Sequence, residues 1–235
     1  MQLLSQLFGM EGISFLLRWL HFFFGVMWIG HLYYFNFTQG TFMAQADGPT
    51  KSSVTTKLLP IALHWFRWGA MWTFATGLAI IGIKAHSGGM EVFSSSWGIL
   101  ISMGAILGIN MWANVWFVIW PKQQIVMASA EKVAAGQPAD PRAAVVAPQA
   151  LLASRTNTMF SIPMLFFMGA ASHFPLSVTP ESKTGLAIIG FALVWLALAF
   201  NGIKGKLGYL TTVKGVIGCG FALTAYFILL LAVCF

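Results

Sequence analysis

The side chains in this sequence best suited to carrying chemistry are its five histidines. Four of them lie within or at the end of long apolar segments: His21, His31, His64 and His173. Ionisable groups inside such segments are costly and are by default functional candidates. Neutral imidazole can bind haem iron without bringing a charge into an apolar interior. The pattern therefore predicts that these four histidines ligate one or two haem b groups; the alternative is hydrogen bonding across helix interfaces.

Helical spacing limits which histidines can share one iron. His21 and His31 are ten residues apart, which corresponds to about 15 Å along a helix, so they would serve different sites. His31 and His64 fall at the same predicted depth, as one haem with two histidine ligands would require. Gly25 and Trp28 follow His21 on its own helical stripe, and glycine there leaves room for a flat macrocycle.

Two arginines accompany these histidines. Arg18 precedes His21 by three residues and Arg67 follows His64 by three, so each lies on the side of the helix that carries its histidine. Haem propionates need cationic partners, and the guanidinium fork suits carboxylates. Both arginines are therefore predicted to bind the cofactor, with snorkelling to lipid headgroups as the alternative.

A second polar group is predicted on the second, third and fourth helices. The candidates for binding a polar substrate near one rim are Arg67, Asn114, Arg155 and Asn157. The same residues could instead hold helices together through hydrogen bonds.

The composition predicts an all-α, polytopic integral membrane helix bundle. Of the 235 residues, 58% are hydrophobic and 8% charged, whereas soluble domains carry roughly 25% charged residues. A spanning helix needs about 20 apolar residues, so the chain has room for about six spans and no sizeable soluble domain. We therefore expect residues 1–235 to form a single transmembrane bundle, which the histidines predict to bind haem. The six predicted spans are Gly12–Phe37, Leu58–Lys84, Trp97–Trp120, Leu151–Ser172, Thr184–Ile203 and Val213–Phe235. The formal charge of +7 is too dispersed for a nucleic-acid-binding face.

The basic residues predict the orientation of the bundle. One side carries Lys51, Lys57, Lys122, Lys132, Arg142, Arg155, Lys204, Lys206 and Lys214, and the other carries Lys84 and Lys183. The positive-inside rule places the richer side in the cytoplasm, including a loop at about 121–150. Both termini are then expected in the periplasm of a bacterium, with the chain crossing the inner membrane several times.

The order of these residues resembles the membrane (N-terminal) domain of bacterial PuuD-type urate hydroxylases, in a stand-alone form. The resemblance covers roughly residues 15–175. The matching residues are Arg18-Trp19-Leu20-His21, Gly25, Trp28-Ile29-Gly30, Tyr33-Tyr34-Phe35, Leu63 to Trp68, Trp72, Gly77, Asn114 to Pro121, Arg155, Asn157, Pro163 to Met168 and Ser172-His173. The last two helices are generic by comparison. Thr156 departs from the many members that have histidine there, and His31 is additional.

The resemblance implies an oxidoreductase that oxidises urate, or another small reductant, and passes electrons to a c-type cytochrome. Full-length members carry that cytochrome at the carboxyl end, whereas this sequence has no Cys-x-x-Cys-His motif for covalent haem attachment. Two alternatives remain open. The chain could be an electron-transfer or accessory subunit of a respiratory complex, or a haem-free structural or transport protein.

Overall fold

The computed structural model describes residues 6–235, and every regular element within them is helical. The long helices in this range are α1 (Met10–Gln45), α2 (48–88), α3 (Ser96–Ala134), α4 (Pro141–His173), α5 (Thr184–Lys204) and α6 (Val213–Cys234). Two connections contain 3₁₀ turns, at Met90–Ser94 and Gly208–Thr211. The prediction of an all-α bundle is confirmed.

Helix α4 forms the centre of the bundle because it contacts α1, α3, α5 and α6. It buries large apolar side chains such as Phe160 and Phe167. It also buries a run of polar ones: Arg155, Thr156, Asn157, Thr158 and Ser161. A helix surrounded by other helices keeps such groups away from lipid, so they can pair with neighbouring helices instead.

Four helices are long and apolar enough to cross a membrane, namely α1, α3, α5 and α6. Helices α2 and α4 do not meet that criterion. Five polar residues of α4, between Arg155 and Ser161, are buried among the neighbouring helices, in keeping with its central position. The expected membrane bundle is thus supported, whereas the count of six spans and the sidedness stay predictions. The predicted periplasmic amino terminus lies outside the described residues.

The expected helix ends around residues 121–150 are wrong. Helix α3 continues past Trp120 to Ala134, and α4 begins at Pro141, ten residues before its predicted start. The predicted loop is thus mostly helical, with a short link at 135–140, and Arg155 is buried in α4 rather than lying in a loop.

Local π-helical segments explain why Pro60 and Pro121 do not end α2 and α3. Such segments occupy Tyr34–Gln39, Val54–Leu58 and Asn114–Ile119. Pro60 and Pro121 follow the second and third of them closely. Proline normally clashes with the carbonyl four residues earlier, and a π turn widens the helix just before that point. A proline that reads as a helix end in the sequence is therefore accommodated inside a continuous helix.

Gly104 and Gly108 form a Gly-x-x-x-Gly pair on α3, a spacing that indicates close helix packing. A Cβ atom on Gly104 would lie 3.1 Å from Cβ of Phe167 on α4, and one on Gly108 would lie 3.9 Å from Cγ of Met164. The small residues therefore let α3 approach α4 closely.

Candidate functional site

The most constrained histidine is His21, which lies half-buried between α1 and α2. Its Nδ1 atom is 3.2 Å from Oγ1 of Thr76. The Thr76 hydroxyl has one proton, and its oxygen lies 2.7 Å from the Trp72 carbonyl and 3.1 Å from the Thr73 carbonyl. Carbonyls only accept hydrogen bonds, so Thr76 donates to one of them and accepts from Nδ1–H of His21. The proton is thus held on Nδ1, and Nε2 of His21 keeps a free lone pair.

Gly77 has no side chain and so leaves the space on α2 that the His21 ring occupies. A Cβ atom at Gly77 would lie 3.0 Å from Cε1 and 3.4 Å from Nδ1 of His21. Contacts near 3.0 Å force a neighbour to move, so a side chain at residue 77 would displace the imidazole. The Thr76-Gly77 pair therefore fixes both the tautomer and the position of His21.

His31 has the same tautomer for a different reason. Its Nδ1 atom lies 2.7 Å from the Met27 carbonyl oxygen of its own helix. A carbonyl can only accept, so Nδ1 carries the proton and Nε2 is again unprotonated. No second helix is involved in fixing this ring.

The structure does not bring His31 and His64 together as a ligand pair. The contact of Gly69 with the Trp28 backbone sets the register of α1 and α2 and puts the two histidines at nearly one level. However, Phe66 packs edge-on against Phe35 of α1, with ring centroids 5.4 Å apart. His64 precedes Phe66 by two residues, so it leaves α2 about 160° away, on an exposed face.

His173 lies at the exposed end of α4. The α1–α4 register is antiparallel, because Tyr33 bonds to Ser161 (2.9 Å) and Asn36 to Ser154 (2.8 Å). Continued along both helices, that register places His173 beside the turn of α1 that contains His21. Among residues 6–235, no group of three or more His, Cys, Asp or Glu side chains is placed to hold a bare metal ion.

The two arginines predicted to bind haem propionates occupy different environments. Arg18 is exposed on α1, and its Nε atom donates to the Ser14 carbonyl at 3.2 Å. The Arg67 guanidinium lies over tryptophan rings, 3.9 Å from the centroid of Trp120 and 5.2 Å from that of Trp116. These cation–π contacts offset part of the cost of removing the cation from water.

Asn114 and Asn157 are brought together, but as a structural pair. The Asn114 amide donates to Oδ1 of Asn157 at 2.8 Å, and the Asn157 amide donates to the Met111 carbonyl at 2.9 Å. Asn157 is fully buried. The pair therefore joins α3 to α4, with one N–H of each amide used in this contact.

Arg155 is separate from this pair. It is two residues from Asn157, so the side chains leave α4 about 160° apart. The structure thus does not gather all four candidate substrate residues at one place. Arg155 is 8% exposed, and its Nε and Nη1 atoms are buried without a hydrogen-bond partner.

Three residues of this interior were not among the sequence candidates: Tyr33, Asn36 and Thr76. Asn36 carries a detectable signal, since it is a polar residue inside an apolar aromatic run, Tyr34-Phe35-Asn36-Phe37. Thr76 carries none, because threonine is common in helices that bond their own backbone.

The described helices form a bundle with a buried polar centre, and an imidazole is oriented between two of them. The chain belongs to the urate oxidase N-terminal family, whose model matches residues 82–225. This confirms the expected family. The match includes α5 and most of α6, which had been expected to be generic. No curated protein and no solved structure matches the chain significantly.

Proposed function

We propose that this protein is a haem-b redox protein of the bacterial inner membrane, related to urate hydroxylases. It oxidises urate or another small reductant and passes the electrons to a c-type cytochrome on the periplasmic side. The observation that carries the proposal is the orientation of His21, in a chain that belongs to the urate oxidase N-terminal family.

The donor set around His21 fits an axial haem ligand. A ligating histidine almost always donates its other ring N–H to an acceptor that fixes its orientation. Thr76 is that acceptor, and it leaves Nε2 of His21 for iron. His173 lies at a matching depth on α4 and would be the candidate for a second ligand. His31 has a free Nε2 as well and remains a candidate for a second haem.

Haem b would supply a one-electron carrier within the bundle. Removal of two electrons from urate, with water as the source of the added oxygen, releases two protons and reduces two ferric cytochrome c molecules in succession. The chain supplies ligation, a dry path and cationic groups that lower the cost of negative charge on the cofactor or the reductant.

A spectrum of the purified protein tests the cofactor. The full chain in detergent, reconstituted with haem, is expected to show a b-type spectrum when reduced with dithionite, and a pyridine haemochrome assay counts haems per chain. His21→Ala is expected to lose one haem. His86→Ala is the matched control, because His86 is exposed near the end of α2 and was not a predicted ligand. Equal haem content in both variants would refute the assignment of His21.

Urate-dependent reduction of a soluble cytochrome c tests the activity. The haem-loaded protein is expected to reduce added ferric cytochrome c when urate is present, and His21→Ala is expected not to. A haem-loaded protein that never reduces cytochrome c with urate would instead favour the accessory-subunit alternative.

A further inference from the structure

We propose that Arg155 is the centre of a buried anion-binding site between α4 and the amino-terminal end of α6. Its ligand is a small organic anion that accepts hydrogen bonds from the guanidinium. Two sources share this chemistry, a free urate-like anion and the propionate of a bound haem. The choice of these probes rests on the proposed function, whereas the site itself is inferred from the geometry.

Arg155 lacks the partners that a buried cation requires. Its Nε and Nη1 atoms are enclosed and unpartnered. Within residues 6–235, which include all six acidic residues of the chain, the ion pair that forms is Arg142–Asp140 at 2.7 Å. A buried charge without a counter-charge is strongly destabilising. An anion supplied from outside the chain would remove that cost.

Arg67 is a second arginine with buried atoms, and other side chains of the protein stabilise its charge. It also has a buried Nε without a hydrogen bond. However, its guanidinium is stacked on Trp120 and lies near Trp116 and Trp68. No aromatic ring is found over Arg155 in the described part of the chain. The protein therefore surrounds the Arg67 guanidinium with aromatic rings and leaves the Arg155 guanidinium without such a partner.

The packing of α6 locates the site. A Cβ atom on Gly220 would lie 3.1 Å from the Met159 carbonyl, and the rings of Phe227 and Phe167 are 5.8 Å apart between centroids. The two contacts advance together along both helices, so α4 and α6 run parallel. Arg155 precedes Met159 by one turn on the same face, which puts it level with the first turn of α6. The 3₁₀ turn Gly208–Thr211 also contacts α4.

The charge around this end of the bundle favours anions. The chain between α5 and the first turn of α6 has three exposed lysines, Lys204, Lys206 and Lys214, and residues 204–214 include no acidic residue. A basic rim beside a low-dielectric interior raises the local concentration of anions. Arg155 lies beneath this rim, so an anion attracted by the lysines would be close to the buried guanidinium.

Thermal unfolding of the full chain in detergent tests the proposal, with three variants compared with wild type. Arg155→Met removes the buried charge and keeps much of the side-chain volume. Arg155→Lys keeps the charge but loses the fork. Arg142→Gln is the matched control, because Arg142 is exposed.

Arg155→Met is expected to raise the Tm of the ligand-free protein and to reduce the Tm increase produced by the ligand that occupies the site, whether urate or haem. Arg142→Gln is expected to keep that increase. The proposal is overturned if the urate and haem increases both survive unchanged in Arg155→Met, or if both are absent from wild type.

Haem and its dimethyl ester distinguish the two sources. If a propionate occupies the site, the ester binds wild type at least tenfold more weakly than haem does, and Arg155→Met removes that difference. If a free anion occupies the site, the ester and haem bind alike, and Arg155→Met and Arg155→Lys both lose urate affinity in equilibrium dialysis.

Failure of every variant to bind haem would refute the proposed function, while the urate measurement would still decide the anion site.

Discussion

The α1–α2 pair and the α3–α4 pair use buried polar groups in opposite ways. Between α3 and α4, the amides of Asn114 and Asn157 satisfy each other and a backbone carbonyl. Between α1 and α2, Thr76 takes one nitrogen of His21 and leaves the second free. The first interface links two side chains of the chain to each other, whereas the second leaves one nitrogen of the imidazole available.

This difference separates contacts that stabilise the helix packing from groups that are available for chemistry. Fully paired buried groups specify how helices pack and contribute little chemistry. A partly satisfied group in a membrane bundle marks a place where something else binds. The family match begins at residue 82 and so includes α3 and α4 but not the His21–Thr76 contact.

The largest expected effect is on the α3–α4 side, from Asn157→Ala. This change removes the side-chain acceptor of the buried Asn114 amide and opens a cavity, so the free energy of unfolding should fall by about 2–4 kcal/mol. Unfolding in mixed detergent micelles measures it. Asn201→Ala is the control, since Asn201 bonds at an exposed loop and should cost less than about 1 kcal/mol. Equal losses would mean that the Asn114–Asn157 pair is not a closed structural contact.

Next in size is Thr76→Val, which removes the acceptor for Nδ1–H of His21 at nearly constant volume. Loss of such a supporting partner typically lowers metal affinity about 10–100-fold, and haem affinity should fall within that range. Titration with haem, followed by the b-type spectrum, measures it. Thr76→Ser keeps the hydroxyl and should retain wild-type affinity. A Thr76→Val protein with unchanged affinity would show that His21 is oriented by packing alone.

A smaller effect is expected from Gly77→Ala, whose methyl group would lie 3.0 Å from Cε1 of His21. The ring must shift, so haem affinity should fall by about threefold to tenfold, the equivalent of roughly 0.6–1.4 kcal/mol. Gly82→Ala is the matched control on the same helix, because no atom lies within 4 Å of a Cβ there. If both variants bind haem as wild type does, the close approach at Gly77 does not position His21.

The smallest effect concerns the start of α4, outside the bundle core. Hydrogen bonds from the Arg142 side chain and backbone lower the pKa of Asp140 to about 2. A depressed pKa stabilises the fold above the ordinary pKa, and this contribution is lost as the pH falls from about 4 to about 2. Asp140→Asn should therefore reduce the slope of Tm against pH in that window and lower Tm slightly at pH 7, where the carboxylate contribution is present. An identical slope in wild type and variant would contradict the assignment.

Much of the architecture could be read from the sequence because apolar segments of membrane length dominate it. The helices, the close approach at Gly104 and the family were all predictable. The helix ends near Pro121 were not, because the π turn that accommodates this proline depends on hydrogen-bond register, which residue types do not encode.

The candidate site was predictable in its residues and less so in its pairings. His21 stands out as an ionisable group in an apolar run, but its partner Thr76 is identified only by the register of α2 against α1. Arg155 and Asn157 look like one cluster along the sequence, yet two residues of helix turn them to opposite sides of α4. Residue types identify the candidates, and helix rotation decides which of them meet.

The length of α3 has a practical consequence. Its 39 residues extend for about 58 Å, roughly twice the 30 Å thickness of a bilayer core. When α3 crosses a bilayer, its last section, Trp120–Ala134, and the first turns of α4 would project from it as a helical hairpin, closed at Gly136 with a φ of 76°. Grafting a small rigid protein into that link would give this 25.6 kDa chain an external marker for orienting particles in electron microscopy images.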